Sequence, residues 1–182
     1  TIKSDSIVNK TYTSAFNFSH FFGTQVNEYI FDDEITGIGD YAFYKCSGLT
    51  SITIPNSITS VGNNAFYGCG LTSVILTASS LEEFCQGEGN YFLGSQGVPG
   101  KRKIQINNKE VTELTIPDNI MLLRSYAFYN CSDLTSVTIP NSVTYIGEGT
   151  FAGCSSLTSV TIPDSVTYIG EGAFNSCYAL KT

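Results

Sequence analysis

Apolar and polar positions along the chain follow one pattern that returns every 23 residues. Its clearest statements are LTSVTIPNSVTYIGEGTFAGCSS from Leu134 and LTSVTIPDSVTYIGEGAFNSCYA from Leu157, with Leu180 opening a further copy. Within one copy the apolar set is Leu134, Val137, Ile139, Val143, Ile146, Phe151 and Cys154. The alternation through Val137-Thr138-Ile139 predicts a short strand with Thr outward. Pro140 lacks an N–H and ends that strand, and together with Asn141 it predicts a tight turn. Val143-Thr144-Tyr145-Ile146 predicts a second short strand. Gly147 and Gly149 then permit a bend, and Thr150-Phe151-Ala152 predicts one helical or 3₁₀ turn that carries Phe151 inward. A fixed period of this length marks stacked supersecondary units, none of which buries its apolar face without a neighbour.

Earlier copies are looser. Val26 opens VNEYIFDDEITGIGDYAFYKCSG, Leu49 opens LTSITIPNSITSVGNNAFYGCG, which is one residue short, and Leu71 opens LTSVIL. Leu81-Glu82-Glu83-Phe84 keeps the apolar spacing of Ile58 and Val61 and so predicts a second strand. The stretch CQGEGNYFLGSQGVPGKRK then leaves the pattern, while Ile104-Gln105-Ile106, Asn107-Asn108 and Val111 predict a hairpin inside the excursion. Copies resume at Val111, giving six strand-opening segments. The expected organisation is an amino-terminal cap or degenerate repeat over residues 1–25, containing Ala15-Phe16, Phe18, Phe21 and Phe22. A solenoid over residues 26–182 follows, interrupted at about 77–110. The fold class is mainly β with short helical or 3₁₀ turns, its parallel strands stacked about 4.8 Å apart. Such stacking lays like on like. It predicts one core ladder of Phe43, Phe66, Phe128, Phe151 and Phe174, and a second of Cys46, Cys69, Cys131, Cys154 and Cys177.

Composition narrows the function. With 42% hydrophobic residues the chain has material for a core, whereas only 14% is charged, so solubility rests on hydroxyl and amide groups. A net charge of −7 disfavours nucleic acid and anionic membranes, and the only basic run is Lys101-Arg102-Lys103. No apolar stretch is long enough to span a membrane, and residues 1–25 lack a signal-peptide layout. Because the chain opens at Thr1 and stops just past Leu180, we expect a piece of a longer protein, with targeting sequence and further repeats outside it.

The consensus L-T-S-V-T-I-P-x-S-V-T-x-I-G-x-x-A-F-x-x-C-x-x-L resembles the BspA type of leucine-rich repeat from about residue 26 to residue 182, apart from 77–110. The resemblance implies a leucine-rich-repeat solenoid of the kind found in bacterial surface or secreted proteins that adhere to matrix proteins, host cells or other microbes. It carries no active site across to this chain. The short second copy, Arg124 where Gly is expected, and the interruption depart from the pattern.

Candidate chemistry is sparse. A cysteine column suggests disulfides or a metal ladder, but stacked Cβ vectors run parallel and no His accompanies them, so buried thiols are the preferred reading. Cys85 lies off the column, either as a reactive thiol or packed. His20, among phenylalanines, has no partner at a catalytic spacing. Asp32-Asp33-Glu34 reads as a solvated turn lacking EF-hand spacing, and Gly87-Glu88-Gly89 lacks the Lys of a phosphate loop. Neither catalytic, cofactor nor metal residues are assigned.

Two outward columns remain. One passes through Thr53, Ile75, Thr115, Thr138 and Thr161, flanked by Ser51, Ser73, Glu113, Ser136 and Ser159. The other passes through Leu122, Tyr145 and Tyr168. Of these, Thr115, Thr138, Thr161, Ser136, Ser159, Tyr145 and Tyr168 form the candidate partner-binding face, since stacked aromatics on a rigid surface make good anchors. The expected function is a non-enzymatic, extracellular or cell-surface binding module with a protein partner. Alternatives are a structural spacer or a carbohydrate-binding surface, and the interruption is a further recognition candidate.

Overall fold

The computed structural model describes residues 26–87 and 98–181. Each regular copy of the phrase makes one rung with three stretches that pair to the next rung. The first stretch is a strand: β1 (Glu28–Ile30), β3 (Ser51–Pro55), β5 (Ser73–Ala78), β8 (Glu113–Thr115), β10 (Ser136–Thr138) and β12 (Ser159–Thr161). The second is a two-residue strand: β2 (Gly37–Ile38), β4 (Ser60–Val61), β9 (Leu122–Leu123), β11 (Tyr145–Ile146) and β13 (Tyr168–Ile169). All of these pair in parallel and in register, so Val137 lies between Leu114 and Val160, and Ile146 between Leu123 and Ile169. The fold is a mainly β solenoid of stacked parallel strands.

The third stretch is the predicted helical turn, and it takes the form of overlapping i to i+3 turns. Ala152 N–H donates to the Gly149 carbonyl and Cys154 N–H to the Phe151 carbonyl. The intervening N–H groups reach the next rung instead, Gly149 to Glu171, Phe151 to Ala173 and Gly153 to Asn175. Backbone donors thus alternate between local and rung-to-rung partners. That alternation requires left-handed backbone at two places per rung. One column holds Tyr41, Asn64, Tyr126, Gly149 and Gly172, with φ from 53° to 61°, and the other Lys45, Gly68, Asn130, Gly153 and Ser176, from 57° to 79°. Glycine and asparagine suit these positions; Tyr41 and Tyr126 occupy them against preference.

Gly147 has a different reason to be glycine. A Cβ there would fall on the backbone of Ser125 in the preceding rung, and Gly62 and Gly170 face the same obstruction from Asp40 and from Gly147-Glu148. Arg124 stands at the equivalent place in the rung after the interruption, where among the described residues no second strand lies in front of it, so a side chain is tolerated there.

The interruption is smaller than the sequence suggests, and one expectation is corrected. Leu81–Gln86 is helix α1, not a second strand. Ser80 caps it by accepting from Glu83 N–H, while Glu83 accepts from Ser79, so the backbone finds a helical start in place of a ladder. The helix sits where a second strand would lie between β4 and β9. Asn56 donates to the Glu83 carbonyl at 3.0 Å, and Asn119 to the Glu82 carboxylate, so turn asparagines from both sides hold it. A further strand, which opens no copy of the phrase, joins the first sheet. Inside the supposed excursion, β6 (Lys101–Ile106) continues the first sheet in parallel register with β5, then reverses at Asn107-Asn108 into the antiparallel β7 (Lys109–Val111) as the hairpin predicts. The resulting five-stranded sheet has the order β1-β3-β5-β6-β7, and a separate sheet begins at β8.

This break divides the predicted aromatic ladder. Phe43 and Phe66 stack at 5.2 Å; Phe128, Phe151 and Phe174 stack at 5.2 and 5.4 Å. Between the two groups Phe84 of α1 tilts against Phe128 at 5.6 Å. Phe43, Phe66, Phe128 and Phe151 are buried, and Phe174, in the last rung, is half-buried.

Polar letters of the phrase are structural as well. In successive rungs Thr50, Thr72, Thr135 and Thr158 hydroxyls donate to carbonyls of the preceding rung (3.0–3.2 Å), as do Thr59, Thr144 and Thr167 before the second strands. Ser57, Ser142 and Ser165 do the same at the turn. The serine hydroxyls thus fill turn carbonyls, and the threonine hydroxyls add a second bond to carbonyls that already accept a backbone N–H, as Thr112 does from Thr135.

Two outcomes are expected in denaturant unfolding. Phe151→Ala, which empties the middle of a stack, should cost about 3–5 kcal/mol; a loss under about 1 kcal/mol contradicts the ladder. Gly147→Ala should cost about 1–3 kcal/mol through the clash with Ser125, whereas Arg124→Ala should cost less than about 1 kcal/mol at its exposed site.

Candidate binding face

The strands of the second half position two sets of outward side chains. On the first sheet face Thr115, Thr138 and Thr161 are exposed and in register, flanked by Ser136 and Ser159. Upstream the predicted column does not continue. Ile75 pairs with Lys103 of β6, not with Thr115, so Thr53 and Ile75 belong to the other sheet. Lys103 closes this gap through ion pairs with Glu110 (2.7 Å) and Asp133 (3.7 Å), and its hydrogen bond to Glu110 raises its pKa. The basic run is accordingly no anion site. Lys101 is exposed, Lys103 is paired, and Arg102 is buried in register with Val74, its guanidinium 4.9 Å over the Tyr129 ring. Burial lowers the Arg102 pKa to about 10.

On the second face Leu122, Tyr145 and Tyr168 are in register. The two tyrosine rings lie 4.8 Å apart and within 8° of parallel, at the spacing of the strands that carry them. Each supports the other, yet Tyr145 remains 40% exposed and Tyr168 51%. Met121, beside Leu122, is exposed as well, whereas Ile169 continues the inward column of Leu123 and Ile146. Thr144 and Thr167 hydroxyls are engaged with backbone carbonyls, so the stripe presents hydrocarbon and aromatic surface. A rigid, pre-stacked pair loses little side-chain entropy on association.

Other features offer less. Asp32 shapes its own turn, accepting from Glu34 N–H and, through its carbonyl, from Ile35 N–H. Among the described residues no group of three or more His, Cys, Asp or Glu is placed to hold a metal. Two hollows of about 400 and 410 Å³ lie where Asp33, Thr77 and Asn108 meet, and one of about 190 Å³ lies beside Phe66, Tyr67 and Pro99. Residues 1–25 with His20, and Glu88-Gly89, lie outside the described residues. No described helix is long and apolar enough to cross a membrane.

The pattern of the BspA type Leucine rich repeat region matches in 6 copies, over residues 8–88 and 105–182. The chain belongs to the BspA-type leucine-rich repeat family. No curated protein matches it. Similar solved structures include a leucine rich cell surface protein from Faecalibacterium prausnitzii A2-165, at 27% identity and TM-score 0.47, covering 86% of this chain and 47% of that one. Another is a leucine-rich repeat protein from Eubacterium ventriosum ATCC 27560, at 20% and 0.46, covering 94% and 63%. A third is the Leucine Rich Repeat protein of T. pallidum, at 21% and 0.45, covering 85% and 78%. The chain spans less than two thirds of the length of the first two.

The cysteine of the BspA-type phrase has a role that its apolar character conceals. Cys69, Cys154 and Cys177 each donate S–H to the carbonyl of the phenylalanine one rung before, Phe43, Phe128 and Phe151, at 3.0–3.2 Å. All six cysteines are free thiols. Cys46, Cys131, Cys154 and Cys177 are buried, Cys69 is half-buried, and Cys85 is packed inside α1 instead of exposed. Burial pushes Cys69, Cys85 and Cys131 up to about 12 and raises Cys154 and Cys177 as well. Thiols held protonated are poor nucleophiles and poor metal ligands. Sequence reasoning missed this hydrogen bond; the invariant spacing between Phe and the following Cys in all regular rungs was its only signal.

Two measurements check the thiols. At pH 8 the native BspA-type chain should react negligibly with a thiol reagent, and the denatured chain at all 6 cysteines; rapid native modification of Cys85 contradicts its placement. The folded thiols keep protons to about 12, whereas an ordinary thiol releases them near 9.0. Their contribution to stability is therefore complete below pH 9 and falls away as pH rises toward 12. Unfolding free energy should decline across that window.

Proposed function

We propose that this chain is a non-enzymatic binding module of a surface-exposed or secreted protein, gripping a protein partner with the outward face of its second half. The observation that carries this reading is the Tyr145–Tyr168 stack: two parallel rings kept half in water by strands that are themselves fixed by the core. Tyrosines so held are typical anchors of protein interfaces. The Thr115, Thr138 and Thr161 column with Ser136 and Ser159 lies on the adjoining sheet of the same rungs, and supplies polar periphery. The family supports the same direction, because BspA-type leucine-rich repeat proteins are typically binding or scaffold proteins at the bacterial surface or secreted. Adhesion to host or extracellular-matrix proteins is the finer form of the proposal.

The test is binding of the chain to a panel of purified extracellular-matrix proteins by surface plasmon resonance. Tyr145→Ser with Tyr168→Ser should weaken the tightest interaction about tenfold or more, the loss expected for one interfacial anchor, without lowering the melting temperature beyond a few degrees. Unchanged affinity in the double variant removes this face from the interface. No binding to any member of the panel favours the spacer reading.

A further inference from the structure

The stripe of Leu122, Tyr145 and Tyr168 is bordered on both sides by carboxylates. In the turns that lead into the second strands stand Asp118 and Asp164, and in the corners that leave them stand Glu148 and Glu171, all four exposed. The register that stacks the tyrosines also sets Glu148 and Glu171 one rung-step apart and Asp118 and Asp164 two, with Asn141 between them, so the borders run parallel to the stripe. Glu148 is held in place by the Tyr126 hydroxyl. Against these acids the bordering columns carry one cation, the exposed Arg124, beside Leu122 at the end away from Tyr168. The potential along the stripe is therefore graded, becoming more negative from Leu122 toward Tyr168.

We propose that the partner docks here through an apolar or aromatic side chain set between lysines or arginines, with the cations over the Tyr168 end. This deepens the function proposed above and rests on it. An apolar centre excludes water while carboxylates at the rim select the sign of the partner's charge, raising the association rate and penalising acidic surfaces. A glycan or an acidic protein gains nothing from this border.

The experiment applies the full chain to immobilised ten-residue peptides in which a central Leu, Phe or Tyr is flanked by Lys or Arg, beside matched sets carrying Gln or Glu. We expect retention on the cationic set at least tenfold above the Gln set, and little on the Glu set. Retention should fall about tenfold between low and high salt, as rim charges become screened. Neutralising the border with Glu148→Gln, Asp164→Asn and Glu171→Gln, which preserve shape, should abolish the preference for cations. The control variant Glu28→Gln, Asp33→Asn and Glu34→Gln changes net charge equally on the other sheet and should leave the preference intact. Equal retention on cationic and Gln sets overturns this inference and leaves the tyrosine face standing as a binding surface. Equal loss in both triple variants, or a preference that survives Tyr145→Ser with Tyr168→Ser, overturns it in favour of bulk attraction to an acidic chain. Absence of retention on every set counts against both readings.

Discussion

Everything in this molecule depends on rung-to-rung registry at the spacing of paired strands. Once Val137 lies between Leu114 and Val160, the remaining positions of those rungs have no independent choice of neighbour. A buried phenylalanine meets a phenylalanine, and an outward tyrosine meets a tyrosine. The registry is enforced on all three stretches of the rung, including the turn stretch, where alternate N–H groups reach across to the next rung. Serine hydroxyls reinforce it by occupying turn carbonyls, and threonine hydroxyls and thiols by adding a second bond to carbonyls that already accept a backbone N–H. Each such bond is worth about 1 kcal/mol net, but a vacant buried carbonyl costs more.

That constraint explains why so much of the phrase is structural and so little is left for function. Leu, Val, Ile, Phe and Cys fill the interior, Thr and Ser tie the corners, and Gly147 is fixed by the approach of Ser125. Outward positions of the two strands are the places where a residue answers to solvent alone. The sequence places Thr and Ser on one of these and aromatic or aliphatic groups on the other. Hydrophobic residues at outward positions on a rigid wall are costly to keep without a partner, and that asymmetry singles out the tyrosine stripe.

The regular rungs were legible because period and register come from the same repetition, so Leu134 onward could be folded on paper. The junction was not. Leu81 and Phe84 have the three-residue spacing of Ile58 and Val61, which fits a rung corner as well as a helix turn. The distinguishing signal was Ser80 three residues before Glu83, a helix start that apolar spacing alone does not reveal. In β6 only part of the strand was hidden by charge. Ile104-Gln105-Ile106 read as a hairpin strand, but Arg102 takes the interior place of Val74 and its aromatic neighbour Tyr129 is supplied from a different rung, so no local pattern announced that the strand begins at Lys101 and joins the first sheet. Arg124 looked like a fault in the repeat and is instead the trace of the missing strand above it. Of the candidate face, the tyrosine pair was visible from the period, whereas the division of the threonine column required knowing that Lys103 intervenes.

The most direct test of rung registry is native-state hydrogen exchange resolved to single amides. If the turn stretches are paired between rungs, the amides of Phe128, Asn130 and Phe151 should be protected to the same degree as those of β10, and lose protection with it on global unfolding. Exchange of these amides at the rate of exposed loops, with β10 still protected, would show that only the strands are in register and that the coil described for this chain is wrong.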